Sequence, residues 1–311
     1  MISIMRLSLI FVFPLVMGSC SDNDDKTTTP DQSVDPPTAT GVVYYQSALK
    51  MNNAYSNLKT ALEKNENISI VKEFDHSKNA ASVEMDLAPT QIIFFGNPLL
   101  GTPLMQKNQL IGLDLPQKVL FYEDEDEVFA LYNSIQYLAS RYGVGEVESL
   151  SQISDALNNL VGTAVDAQPE QTLNQNVDLH EGIISVESTT DFESTYNNLR
   201  ASIEANENLS IVTELDHQQN AENVGMELLP TRVIMFGNPK LGTPLMQSIR
   251  SIGLDLPQKM LVWEDADGTV HISYNNPVFL KEKHQLEGNN EQIEKISNAL
   301  GMLANSAAEI E

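Results

Sequence analysis

The chain has 311 residues, of which 43 are Asp or Glu and 18 are Lys or Arg, so its formal net charge is −25. Binding to nucleic acid draws most of its affinity from neutralising phosphates, and this charge therefore argues against nucleic acid as a partner. A hydrophobic fraction of 41% and a length suited to about two domains exclude a disordered or fibrous protein.

The amino terminus has the composition of an export signal. Arg6 precedes a short apolar run that contains Pro14, and this run is too short to form a stable membrane-spanning helix. A positive start, a short apolar middle and small residues afterwards are typical of a signal peptide. We therefore predict a signal peptide at residues 1–19, directly before Cys20, which is the only cysteine of the chain.

The segment Met17–Cys20 resembles the lipobox of bacterial lipoproteins, with Met17 standing where the family usually has Leu. In that family the cysteine thiol receives a diacylglyceryl group and the signal is cleaved before it. The resemblance implies lipidation at Cys20 and a membrane partner through the anchor, which is stable when several acyl chains are attached.

Residues 20–40 are polar, acidic at their start and rich in proline, and they predict a disordered tether. The acidic stretch after Cys20 is similar to the sorting stretch of surface lipoproteins in Bacteroidetes. We therefore expect a lipid-anchored protein of the cell envelope, at the outer membrane and on its periplasmic or its surface face.

The remainder of the sequence is a duplication. An offset of 141 residues aligns 41–124 with 182–265 without a gap, and the offset becomes 142 beyond the acidic turn. A period this long indicates a duplicated domain and not a solenoid. We predict a first domain at 41–164 (copy one), a linker at 165–181 and a second domain at 182–306 (copy two), which pack as an intramolecular pseudo-dimer.

Both copies predict the same elements in chain order. Strands follow one another with few helical crossovers between them. This pattern favours an α+β fold, with a mostly antiparallel sheet and helices on one face. The apolar run at 91–95 is expected to be a central strand buried on both faces. In copy one the predicted strands are 42–48, 68–74, 91–95, 119–122 and 128–132, and the first and last helices carry the apolar stripes Tyr55, Leu58, Leu62 and Ile153, Leu157, Leu160, Val161.

A short helix is predicted after the central strand. Thr102 is expected to cap it, with Pro103 at its first position and Gly112 ending it. The dense acidic run Asp124–Glu127 follows between two strands. It is interpreted as a solvated turn, because copy two keeps only two acidic residues there.

Three groups of residues in this order resemble the bacterial and archaeal family called domain of unknown function 302. The resemblance covers nearly all of each copy and implies a TATA-box-binding-protein-like α+β fold with a β-α-β-β-β-β-α core, and no established activity. Copy two departs from the pattern at Lys281–Gln285, so the resemblance carries no role for this helix in copy two. The three groups are Asp75-His76 with Asn79-Ala80, Phe95–Pro98 with Gly101–Met105, and Gly112–Pro116 before Glu123-Asp124.

Two of the five histidines, His76 and His217, superpose under the offset. Each follows an aspartate and precedes Asn79 or Asn220 by three positions. One interpretation is an imidazole oriented by the aspartate, acting as acid, base or metal ligand near neutral pH. The alternative, which we favour, is a structural histidine whose ring binds a loop carbonyl.

Further candidate ligand-binding residues lie after the central strand. The helix start at Thr102 could attract an anion, although capping alone explains its residues. Lys118 is a candidate counter-charge or a snorkelling lysine at a strand edge. We expect Asn97, Thr102 and the His76 loop to converge at one edge of the sheet. The equivalents in copy two are Asn238, Thr243 and Lys259.

The sequence assigns no catalytic residue, no cofactor and no metal, because one histidine with one aspartate is too few ligands for zinc. The leading hypothesis is a non-catalytic envelope module that binds a small molecule or a protein. The alternatives are an enzyme that uses His76 and His217 as acid-base groups, and a structural or interaction lipoprotein without a ligand.

Overall fold

The structure is a computed structural model that describes residues 35–310. The predicted signal peptide, the lipidation site Cys20 and the tether up to residue 34 lie outside the described residues. Within the described part, no helix combines the length and the apolar character that crossing a membrane requires.

Copy one and the linker form a sheet of short strands with helices between them. The strands are β1 (Val42–Gln46), β2 (Ser69–Asp75), β3 (Thr90–Gly96), β4 (Gln117–Asp124), β5 (Glu127–Asn133) and β6 (Glu170–Gln171), the last of which belongs to the linker. The helices are α1 (Met51–Glu63), α2 (His76–Ala81), α3 (Pro98–Lys107), the 3₁₀ helix Gln109–Leu113, α4 (Ile135–Tyr142) and α5 (Ser149–Val165).

Copy two repeats this order of elements. Its strands are β7 (Ile183–Glu187), β8 (Ser210–Asp216), β9 (Thr231–Gly237), β10 (Gln258–Glu264) and β11 (Val270–Asn275). Its helices are α6 (Phe192–Glu204), α7 (His217–Glu222), α8 (Pro239–Ser248), the 3₁₀ helix Arg250–Asp255, α9 (Pro277–Lys283) and α10 (Asn290–Ala307).

Each copy forms one antiparallel sheet. The strand order is β2-β3-β4-β5-β1-β6 in copy one and β8-β9-β10-β11-β7 in copy two. The predicted α+β fold, present twice with mostly antiparallel sheets, is therefore confirmed. The acidic turn at Glu125 and Asp126 is exposed, as its composition predicts.

Helix α3 begins five residues before the predicted start. The Asn97 side chain accepts a hydrogen bond from the backbone N–H of Leu99, and Pro98 takes the first helical position, where its missing N–H costs nothing. Thr102 therefore lies inside the helix and caps nothing. The helix ends at Lys107, where Asn108 begins the 3₁₀ helix, so Gly112 does not end it.

Alternate residues of the central strands face two different cores. In β3, Ile93 and Phe95 pack against the helices of copy one, whereas Ile92 and Phe94 face the sheet of copy two. Met235 of β9 belongs to this same inter-sheet core. The two sheets therefore stack face to face with helices outside, and the buried sheet faces hold the copies together through apolar contact.

Candidate functional site

The end of each second strand presents a histidine to the opposite copy. Asp75 closes β2, and its carboxylate accepts hydrogen bonds from the backbone N–H of Lys78 (2.9 Å) and from Nε2 of Gln91 (3.0 Å). Asp75 thus caps α2 and is not positioned as the orienting partner of the imidazole. His76, the first residue of α2, is 2% exposed and hydrogen-bonds to the backbone of Gly253 in copy two.

Copy two makes the reciprocal contact. Asp216 caps α7 through the backbone N–H of Gln219 at 2.8 Å, and His217 hydrogen-bonds to the backbone of Gly112 in copy one. A Cβ at Gly112 would lie 3.6 Å from Cδ2 of His217 and 2.8 Å from Cδ1 of Leu261. Glycine at this position therefore leaves room for the close approach of the two copies.

Both imidazoles are neutral near pH 7. Burial lowers the pKa of His76 and of His217 to about 4, and the backbone hydrogen bonds and adjacent aspartates oppose this shift only in part. Nε2 of each ring is buried without a hydrogen-bond partner. A neutral imidazole has one N–H donor and one acceptor nitrogen, so each Nε2 offers a single hydrogen bond to a ligand, as donor or as acceptor.

Each copy also contains a cavity that the histidine of the other copy helps to line. Cavity one, of about 180 Å³, lies between the start of β2, the junction of β3 with α3, and helix α5. Cavity two, of about 250 Å³, lies at the equivalent place in copy two, between β8, the junction of β9 with α8, and α10. His217 and Asn220 complete cavity one, and His76 and Asn79 complete cavity two.

The cavity walls are largely apolar, with a few polar atoms that have no partner. In cavity one these atoms are Nε2 of His217, Oγ1 of Thr102 and Nε2 of Gln117. In cavity two they are Nε2 of His76 and Oγ1 of Thr243. These atoms are buried in residues that line the cavities, and a buried polar atom without a partner is costly, so a hydrogen bond from a ligand or a water at the wall would stabilise the protein.

The structure distributes the candidate residues between the copies. Asn97 and Thr102 share cavity one with His217 and Asn220, and the matching set from the other copy shares cavity two. The expectation that His76 meets Asn97 and Thr102 of its own copy is therefore wrong. The reason is that β2 runs from one cavity to the other: Ser69 lines cavity one, whereas the end of the strand leads to cavity two. The second set is Asn238 and Thr243 with His76 and Asn79.

Lys118 and Lys259 line neither cavity. They lie in a buried cluster of charges between the copies, so the interpretation as snorkelling edge lysines is also wrong. Nζ of Lys118 donates to Asp114 (3.2 Å) and to Asp255 (2.8 Å). One lysine thus joins the two equivalent aspartates of the two copies.

The remaining partners of the two aspartates differ. Asp114 accepts hydrogen bonds from Nη1 of Arg141 (3.1 Å), the hydroxyl of Tyr142 (2.7 Å) and Nδ2 of Asn133 (3.0 Å). Burial raises the pKa of Asp114, but the neighbouring cations outweigh it and hold that pKa well below its ordinary value.

Asp255 accepts from Nζ of Lys283 (2.7 Å) and hydrogen-bonds to Nε2 of His284 (2.8 Å). Its pKa is likewise well below the ordinary value, since the same attraction to cations outweighs burial. Lys283 and His284 stand where copy one has Arg141 and Tyr142. Copy two departs from the family pattern here, but its two replacement residues still hydrogen-bond to the aspartate of their own copy.

Lys259 has a different environment. Its Nζ donates to the backbone carbonyl of Leu113 at 2.9 Å, and burial, together with the positive charge of Lys118, lowers its pKa well below the ordinary value. This cluster was not predicted from the sequence, although Asp114 and Lys118 both lie in the longest identical run of the two copies.

Among residues 35–310, no group of three or more His, Cys, Asp or Glu side chains is arranged to hold a metal ion. What the described part does contain is a pair of apolar cavities with unsatisfied polar atoms, each built by both copies, and a charge cluster between them.

Parts of the chain are similar to known proteins. A stretch of 108 residues, 35% of the chain, is 39% identical to the fluoride-specific ion channel FluC 1 of Brucella suis biovar 1 (strain 1330) and to FluC 1 of Brucella abortus biovar 1 (strain 9-941). These matches cover 42% and 40% of the two relatives, so the chain spans about two fifths of their length.

A solved structure, described as the uncharacterized conserved protein DUF302 from Bacillus stearothermophilus, matches with a TM-score of 0.38 and 18% identity. The match covers 41% of this chain and 98% of that one. The family model described as domain of unknown function DUF302 matches residues 43–162 and 184–303, which together are most of the chain. The chain therefore belongs to the DUF302 family and carries its domain twice in tandem.

Proposed function

We propose that the protein is a lipid-anchored component of the cell envelope whose body is a non-catalytic module that binds small molecules. The observation that carries this proposal is the pair of cavities with unpartnered polar atoms, His217 and Thr102 in cavity one, His76 and Thr243 in cavity two. Apolar walls with a few converging polar groups are the usual composition of a small-molecule site.

The dimensions limit the ligand. An engineered apolar cavity of about 150 Å³ accommodates benzene, so cavities of about 180 and 250 Å³ suit one substituted aromatic ring or a body of similar size. A neutral imidazole nitrogen and a threonine hydroxyl together suit a ligand hydroxyl, which can both donate and accept a hydrogen bond. We therefore take 4-ethylphenol as a probe.

Catalysis by the histidines is less well supported. A pKa of about 4 leaves each imidazole unprotonated near neutral pH and makes it a weak base, whereas efficient acid-base groups have a pKa near the working pH. The fluoride named for the Brucella relatives is not carried over to this chain, because the match covers only 35% of it and about two fifths of those relatives.

The test is native mass spectrometry and calorimetry of the purified protein with 4-ethylphenol. Ala156 and Ala299 are half-buried and line cavities one and two, so Ala156→Phe with Ala299→Phe fills both cavities at limited cost to the core. We expect two bound probe molecules in the original protein and none in the filled variant. The exposed substitution Gln152→Leu on the same helix α5 is the control and keeps both. Absence of any probe or co-purified molecule in the original protein would refute the proposal.

The anchor has a separate test. Cys20 lies outside the described residues, and the proposal of lipidation depends on the lipobox-like segment Met17–Cys20. Radiolabelled palmitate should be incorporated by cells that produce the original chain and not by cells that produce Cys20→Ala.

A further inference from the structure

The two cavities differ at one charged position. Lys72 of β2 lines cavity two, whereas the equivalent residue of β8 is the uncharged Thr213. Among the described residues that line the two cavities, this lysine is the one with a formal charge, in a chain with 43 acidic and 18 basic residues. Phe74 replaces the equivalent Leu215 next to it, and cavity two is the larger of the two.

Lys72 has no counter-ion within the described part of the chain. It takes part in none of the ion pairs among residues 35–310, although Glu73 beside it pairs with Lys59 at 2.7 Å. Lys72 is half-buried and lines the cavity, so its side chain contacts both the cavity wall and solvent. A cation beside an apolar cavity attracts an anionic group more strongly than one in open water.

We infer that cavity two binds a hydroxylated aromatic carboxylate, whose hydroxyl meets His76 and Thr243 and whose carboxylate pairs with Lys72, while cavity one binds an uncharged hydroxyl compound of similar shape. This inference rests on the proposed function. It adds that the duplication has produced two sites of different charge specificity in one chain.

Two probes of the same body separate the classes. 4-Ethylphenol carries the hydroxyl and the ring, and 3-(4-hydroxyphenyl)propanoate is the same molecule with a carboxylate at the end of the ethyl group. Isothermal titration calorimetry of the full-length protein should show about two sites for 4-ethylphenol. For the propanoate we expect one site that is stronger than the other by about tenfold, which is the value of one hydrogen bond to a charged group.

The chain itself supplies matched variants. Lys72→Thr introduces the residue of the equivalent position and should weaken the stronger propanoate site by about tenfold, while 4-ethylphenol binding at cavity one, which Lys72 does not line, persists and shows that the protein is folded. Thr213→Lys should strengthen the second propanoate site. Lys50→Thr, the same substitution at an exposed lysine, should change neither.

The outcomes separate the two proposals. If 4-ethylphenol binds at two sites but propanoate binding is the same in Lys72→Thr as in the original protein, the charge specificity is refuted and the binding module stands. If neither probe binds to the original protein, both proposals fail.

Discussion

Replacing Asp255 by Asn should destabilise the protein strongly. The carboxylate is buried and contacts Nζ of Lys118 at 2.8 Å, Nζ of Lys283 at 2.7 Å and Nε2 of His284 at 2.8 Å. Removing one partner of a buried ion pair leaves an uncompensated charge and costs about 3–5 kcal/mol. Domains are stable by only about 5–15 kcal/mol, so this loss is a large part of the total.

The measurement is urea unfolding at pH 7, with a surface pair as the control. Glu291 and Lys295 are 2.6 Å apart but 72% and 58% exposed, so Glu291→Gln should leave the urea midpoint nearly unchanged. A second variant, Asp255→Asn with Lys283→Met, removes a stranded cation. It should recover part of the loss, since residues in contact are not additive.

The pH dependence gives an independent check. The pKa of Asp255 lies well below its ordinary value in the folded protein, because Lys118 and Lys283 favour the carboxylate. Its stabilising effect is therefore full above the pKa of the unfolded chain, about 4, and is lost as the pH falls towards the folded pKa. The difference between the original protein and Asp255→Asn should shrink below pH 4. Equal losses for Asp255→Asn and Glu291→Gln would refute the account of the cluster.

Three further predictions concern other buried positions. Lys259→Met should change stability at pH 7 by less than about 1 kcal/mol, because the lost hydrogen bond is offset by the removal of a buried amine. Unlike the original protein, the variant should not gain stability towards pH 10. Urea titrations at pH 7 and pH 10 measure both effects. His76 and His217 have a pKa of about 4 in the folded protein, against 6.5 ordinarily, so stability should fall by roughly 3 kcal/mol per histidine as the pH drops from 6.5 to 4. The variant with both histidines replaced by Gln should lose this pH dependence, which thermal unfolding over the same pH range measures. Gly182→Ala would place a Cβ inside the ring of Phe279 at φ +67°, so it should cost several times more stability than Gly225→Ala, where φ is +72° but nothing lies within 4 Å. Similar melting temperatures for the two variants would contradict this.

The elements and the repeat were predictable from the sequence because they depend on local pattern. The apolar run at 91–95 indicated a strand buried on both faces, and Ile92 and Ile93 indeed face different cores. The start of α3 was placed wrongly because two prolines compete for its first position, and Asn97 with Pro98 forms the better cap.

The cavities could be predicted only in part. The sequence identified His76, Asn97 and Thr102 as candidates, but which of them meet depends on how the two sheets stack, and no local pattern encodes that. The charge cluster was not predictable from the repeat. Asp114 and Asp255 are identical between the copies, but their partners Arg141 and Lys283 come from helices whose sequences differ.

Because every cavity takes its walls from one repeat and its histidine from the other, the two sites cannot be separated by cutting the chain. A truncation that removed either repeat would abolish both sites at once and would expose the apolar sheet face of the survivor, including Phe94 or Met235, to water. Removal of one repeat therefore does not leave one intact cavity behind. A substitution at His76 changes the cavity of the neighbouring repeat.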